Sequence, residues 1–184
     1  MSLLVALALS VAQPGAAPPA AAPLPPGRFS AATVNSYPAR AADVASIDAI
    51  LRALYDVISG PAGQKRDWDR MRSLFVADAR LMPKGAAGLR VGRVEDYIAM
   101  SGPLLERDGF IEREVARRTE QFGDIAHVFS TYEARNRDGG PIIMRGINSI
   151  QLVRHDGRWW VVSIMWQHES PASPLPRRYL PGAR

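Results

Sequence analysis

A change of hydrophobic period at Phe110 constrains this chain more than any other feature. Before it, Val44, Ile47, Leu51, Leu54 and Ile58 recur at helical spacing, with Ile50 and Val57 widening the stripe. Asp43 suits an N-cap or first-turn acid, and Ser59-Gly60-Pro61 stops the helix. A second short helix fits Asp67 to Phe75, a short strand Arg80 to Pro83, and a loop Pro83 to Gly92. Val94, Tyr97, Ile98, Ser101 and Leu105 predict a third helix, closed by Asp108-Gly109. From Phe110 the period becomes two, predicting strands over 110–122, 124–135, 142–154 and 158–168. Three helices followed by a meander imply an α+β fold, with helices on one face of an antiparallel sheet. The pattern is not βαβ, which disfavours a dinucleotide fold.

Burial of one sheet face fixes strand register. A two-residue Asp156-Gly157 turn sets Leu152 opposite Val161 and Asn148 opposite Met165. A three-residue loop instead pairs Arg154 with Arg158. Leu152, Ile150, Asn148, Gly146 and Met144 then oppose Trp160, Val162, Ile164, Trp166 and His168, which collects the large apolar residues on one face. We take the second register. It leaves Trp159, Val161 and Met165 on the outer face, as a surface for a homodimer. In the earlier hairpin, a Gly123-Asp124 turn sets Glu120 opposite His127. Gly146, in mid-strand, marks a bulge or a close approach to the backbone.

Charge along the chain argues against nucleic acid as a partner. The net charge is +5, but residues 43–169 hold all 18 acids and 18 of the 23 bases, and so balance. The excess is Arg28, Arg40, Arg177, Arg178 and Arg184, in proline-rich ends rather than clustered on a folded face. The absence of cysteine removes disulfides, thiolate metal sites and cysteine nucleophiles. Three histidines without ligand spacing predict no metal site, and no cofactor is expected. Leu3 to Ala12 is an apolar run of signal-peptide length, too short as a helix to cross a bilayer. Residues 1–12 are therefore expected to be a signal peptide lacking a charged leader, with the protein secreted or periplasmic. Residues 13–42 read as an Ala/Pro-rich disordered tether. Residues 43–169 form the domain, and 170–184 a Pro/Arg-rich tail from which Tyr179 and Leu180 can pack back.

The order of elements resembles the nuclear transport factor 2-like superfamily, which includes ketosteroid isomerases, scytalone dehydratase and polyketide cyclases. Two segments carry the resemblance, Leu74–Pro83 (LFVADARLMP) and Gly157–Glu169 (GRWWVVSIMWQHE), within residues 43–169. It implies a curved sheet wrapped round a helix, a cone with an internal pocket, and dimers through the sheet. The isomerase branch needs a general-base aspartate where this chain has Met82 or Pro83, neither of which takes a proton. Its oxyanion acid is matched by Asn148, and its first-helix tyrosine approximately by Tyr55. Steroid isomerisation by that route is not expected.

Three readings stay open. The first is a binder of a small apolar molecule, walled by Trp68, Trp160 and Trp166 with Tyr55, and oriented by Asn148, His168 and His127. The second is a pocket enzyme, a dehydratase, cyclase or isomerase, using inward His127 with Glu120, or His168. The third is a structural dimerisation module with a filled core. Arg113, Arg117, Arg118 and Arg135 with Glu112, Glu114 and Glu133 read as a solvated charge lattice. A cavity of about 300 Å³ or more favours a ligand site.

Overall fold

A computed structural model describes residues 35–182. The apolar run at Leu3–Ala12 and most of the expected tether lie outside the described residues. Two helices open the domain, α1 (Ala41–Val44) and α2 (Ile47–Ile58). Ser46 interrupts the continuous stripe read from the sequence. Its hydroxyl accepts from Ala49 N at 3.1 Å and caps α2, so Asp43 is not the cap of that helix. Asp43 instead takes Arg70 Nε at 2.7 Å, which holds its carboxyl below the usual range. Arg70 lies in α3 (Trp68–Ser73), so this pair pins α3 to the start of the domain.

Next come β1 (Phe75–Gly85), β2 (Gly88–Leu89) and α4 (Val94–Asp108), then β3 (Ile111–Phe122), β4 (Ile125–Arg135), β5 (Met144–His155) and β6 (Arg158–His168). The segment expected to be a loop from Pro83 is a hairpin, with Lys84 opposite Leu89. The sheet runs β2-β1-β6-β5-β4-β3; every neighbouring pair is antiparallel except β1 with β6. The class is α+β, an open curved six-stranded sheet with its helices on one face. Among the described residues no helix is long and apolar enough to cross a membrane.

The hairpin of β5 and β6 corrects the expected register. Asp156 and Gly157 both take positive φ, 51° and 74°, which makes the two-residue turn that matches strand twist. His155 therefore pairs with Arg158, and Leu152 with Val161. A bulge at Val162 then shifts the ladder by one, and Asn148 meets Trp166. Plain alternation cannot turn both Trp159-x-Val161 and Ile164-x-Trp166-x-His168 towards the helices; one extra residue does. Trp159 (5% exposed) and Val161 (0%) are thus core residues, not a dimer surface. Met165 does face out, at 42% exposed.

The core lies between α2 and the sheet. Ile50, Leu51, Leu54 and Val57 pack on Phe75, Val128, Ile150 and Val161. Arg66, nearly buried, donates to Ile58 O, Gly60 O and Leu105 O, so one guanidinium ties the C-terminal ends of α2 and α4 together. On the opposite face of the sheet the tail folds back as a strap. Tyr179 lies 5.4 Å from the Phe129 ring, and its carbonyl accepts from Thr131 Oγ1 at 2.7 Å.

Candidate functional site

The space left between α2, α4 and the sheet is a cavity of about 270 Å³. Its walls are mostly apolar, from Leu54 and Ile58 of α2, Met100 and Leu105 of α4, and Ile150 and Ile164 of the sheet. Trp166 closes one side, edge-on to Tyr97 with ring centres 6.1 Å apart.

Polar groups converge at one part of this wall. Asn148 Nδ2 donates to Tyr55 Oη at 3.2 Å and to Glu112 Oε1 at 3.3 Å. The Tyr55 hydroxyl lies 2.6 Å from Ser130 Oγ, and Ser130 also donates to Glu114. Burial pushes the Glu112 carboxyl up from 4.5 to about 7, against the opposing hydrogen bond from Asn148. The Tyr55 and Tyr97 hydroxyls are held neutral chiefly by burial, with the Glu112 charge adding to it. Asn148 Oδ1 and Glu112 Oε2 have no hydrogen-bond partner among the described residues. Neither is sealed in the protein, because no buried side-chain polar atom lacks a partner. Both residues line the cavity, so these acceptors are free for a ligand or water that reaches them.

His168, exposed at the end of β6, places Nδ1 2.6 Å from Tyr132 Oη. Burial lowers its affinity for a proton and favours the neutral ring. Gly146 makes this pair possible. A Cβ there would sit 2.3 Å from Gln167 O and 2.5 Å from the Tyr132 hydroxyl, so the close approach expected of this glycine is to its own neighbours.

Tyr55, Asn148, Trp166 and His168 line the cavity; the other sequence candidates do not. His127 does pair across the strands with Glu120, as the turn predicted. Both lie away from the helices, however, because β4 turns Val128, Ser130 and Tyr132 inward. His127 stacks on Phe129 and its Nδ1 meets Gln151 Nε2 at 2.5 Å, while Glu120 is exposed. Trp160 faces outward under the Arg158 guanidinium, 3.6 Å from the ring centre, because the observed register turns Trp159 inward in its place. Trp68 packs α3 on α4, donating from Nε1 to Glu106 at 3.0 Å beside Gly102.

Glu112, Tyr97 and Tyr132 are the groups missed in the sequence. Of the expected charge lattice, Arg117–Glu114 and Arg135–Glu133 form, each within one strand, while Arg113 pairs with Asp138 instead and Glu112 leaves the lattice for the cavity. A signal for Glu112 was available. Phe110 is apolar and lines the cavity, and strand alternation carries its i+2 neighbour to the same face.

Comparison with solved structures bears on the fold. A protein of unknown function with a cystatin-like fold from Nostoc punctiforme aligns at TM-score 0.54 and 16% identity, covering 71% of this chain and 92% of that one. The fold is cystatin-like. A hexachlorocyclohexane dehydrochlorinase from Novosphingobium barchaimii aligns at 0.51 and 15%, over 66% and 82% of the two chains. A Xanthomonas campestris protein described as a calcium/calmodulin dependent protein kinase II association domain aligns at 0.51 and 14%, over 68% and 86%. No family model and no curated protein matches this chain. At these identities the neighbours show the cystatin-like fold alone, and the chemistry of the cavity rests on the residues above.

Proposed function

We propose that the protein binds one small, largely apolar molecule in this cavity and orients it by hydrogen bonds to Asn148 and Glu112. The observation that carries the reading is the pair of acceptors without a protein partner, Asn148 Oδ1 and Glu112 Oε2, on residues that line a mostly apolar wall. A volume of about 270 Å³ lies just below the ~300 Å³ at which drug-sized sites begin, so the ligand is small. Native mass spectrometry of protein purified from its own host tests this. A co-purified small molecule that is lost in Asn148→Ala supports it; protein that carries nothing, and whose cavity residues respond to no small apolar ligand, sinks it.

A second reading has one specific support. A carboxyl that titrates near neutrality, in an apolar cavity beside an amide donor, is suited to accept and return a proton. That would make the protein a pocket enzyme with Glu112, rather than His127, as the base, and one structural neighbour is a dehydrochlorinase. We infer further that the protein is exported and that two copies pair through the outer sheet face around Met165. The neighbour described as an association domain is in keeping with pairing. Sedimentation of wild type against Met165→Glu reads the pairing, and N-terminal sequencing of exported protein reads the cleavage.

A further inference from the structure

Three groups that can carry charge line the cavity: Arg90, Glu112 and His168. Their placement sorts the cavity into two ends. Arg90 follows the edge strand β2, is exposed, and is bonded through its backbone N–H to Pro83 O at 3.0 Å. Its guanidinium meets Met100 Sδ at 3.9 Å and has no carboxylate within 4 Å among the described residues. The nearby acids of the first turn of α4 are engaged elsewhere: Glu95 by Arg72, and Asp96 by the Arg93 backbone N–H. Glu112 lies on β3, the other edge of the sheet, with β1, β6, β5 and β4 between it and β2.

The Glu112 end refuses negative charge. A ligand anion there would stand against a carboxyl in an apolar enclosure, with no cation among the cavity-lining groups beside it except His168, whose neutral form burial favours. What Asn148 Oδ1 and a protonated Glu112 can satisfy is a neutral hydroxyl, amide or carbonyl. At the mouth the preference is reversed. A guanidinium without an acidic partner, with Met100 and Trp166 near it, offers forked donors to a carboxylate or similar anion.

We propose that the ligand is an amphipathic monoanion that enters with its neutral polar end against Asn148 and Glu112, fills the apolar middle, and leaves its anionic group on Arg90 at the mouth. This rests on the binding reading above and adds to it the charge and direction of the ligand. Arg90 is a specificity residue here, acting on the ligand's charge and not on whether the cavity can be filled.

Two probes of one shape separate these claims: 4-(4-hydroxyphenyl)butanoate and its neutral primary amide, each titrated into full-length protein at low salt and followed by backbone amide NMR. The butanoate is expected to bind about fivefold more tightly than the amide, the size an exposed guanidinium–carboxylate pair supplies. Arg90→Gln should bring the butanoate down to the affinity of the amide and leave the amide unchanged, while Arg90→Lys should keep part of the preference. Equal affinities in the wild type overturn the proposal and leave the binding reading standing. So does an Arg90→Gln variant that weakens both probes alike. If neither probe moves the resonances of Tyr97 and Trp166, the binding reading fails and this proposal with it.

Discussion

Glu112 shows how much a single residue's surroundings decide. In the unfolded chain it is an ordinary glutamate with a pKa near 4.5, and in the fold burial raises this to about 7. Between those two values the folded state keeps a proton that the unfolded state has released. Stability therefore falls as pH rises through that window, by on the order of 3 kcal/mol. Glu112→Gln keeps an acceptor for Asn148 and cannot ionise. We expect it to flatten the pH dependence of denaturant unfolding between about pH 4.5 and 7, and to exceed wild type in stability at pH 8. A variant that still loses stability across that window places the titration on another group. Asn148→Ala is expected to weaken binding of a cavity ligand by roughly 1–3 kcal/mol, because the ligand's polar group loses a partner. Trp166→Ala should cost the fold more, about 3–5 kcal/mol, by leaving a hole beside Tyr97. Calorimetric unfolding and ligand titration on both variants tell the two roles apart.

At the scale of the element, β5 and β6 owe their use to two departures from regularity. The bulge at Val162 lets Trp159 and Val161 fill the core while Trp166 and His168 face the cavity. Gly146 lets the Tyr132 ring lie flat on β5 and reach His168. A methyl group at residue 146 would press on Gln167 O, which is ladder backbone and cannot swing away as a side chain can. We expect Gly146→Ala to cost about 1–3 kcal/mol in unfolding experiments and to release Tyr132 from His168. The release would show as loss of the NOE contacts between the Tyr132 and His168 rings. An alanine variant as stable as wild type would mean that the strand relaxes without strain.

For the molecule as a whole, the strap on the outer face matters most. Tyr179 covers Phe129, and Thr131 is fully buried beneath the tail although its side chain points away from the helices. Truncation after Glu169 should lower the melting temperature and expose the Phe129 side of the sheet, read as increased self-association in sedimentation at a given concentration. Cavity binding should survive it, since the residues that line the cavity all precede the strap. Loss of binding on truncation would show that the two faces of the sheet are coupled.

Much of this was legible in the chain because periodicity is local. The helical stripe from Val44, the switch at Phe110 and the turn at Gly123-Asp124 are read over a few residues, and burial of one face makes them consistent with one α+β fold. Three cavity residues, Asn148, Trp166 and His168, follow from that same alternation, and Tyr55 from the resemblance. What alternation cannot carry is the turn's length or an inserted residue: the two-residue turn exchanged Trp160 for Trp159, and the bulge then turned Ile164, Trp166 and His168 inward with Trp166 opposite Asn148. Nor could it give the inward side of β4, which turned His127 to the outer face, since a strand with residues of both kinds on each side is decided by what packs against it. The state of Glu112 belongs wholly to the tertiary structure. A glutamate among arginines reads as a surface charge, and only the closing of α2 and α4 over the start of β3 takes it out of water.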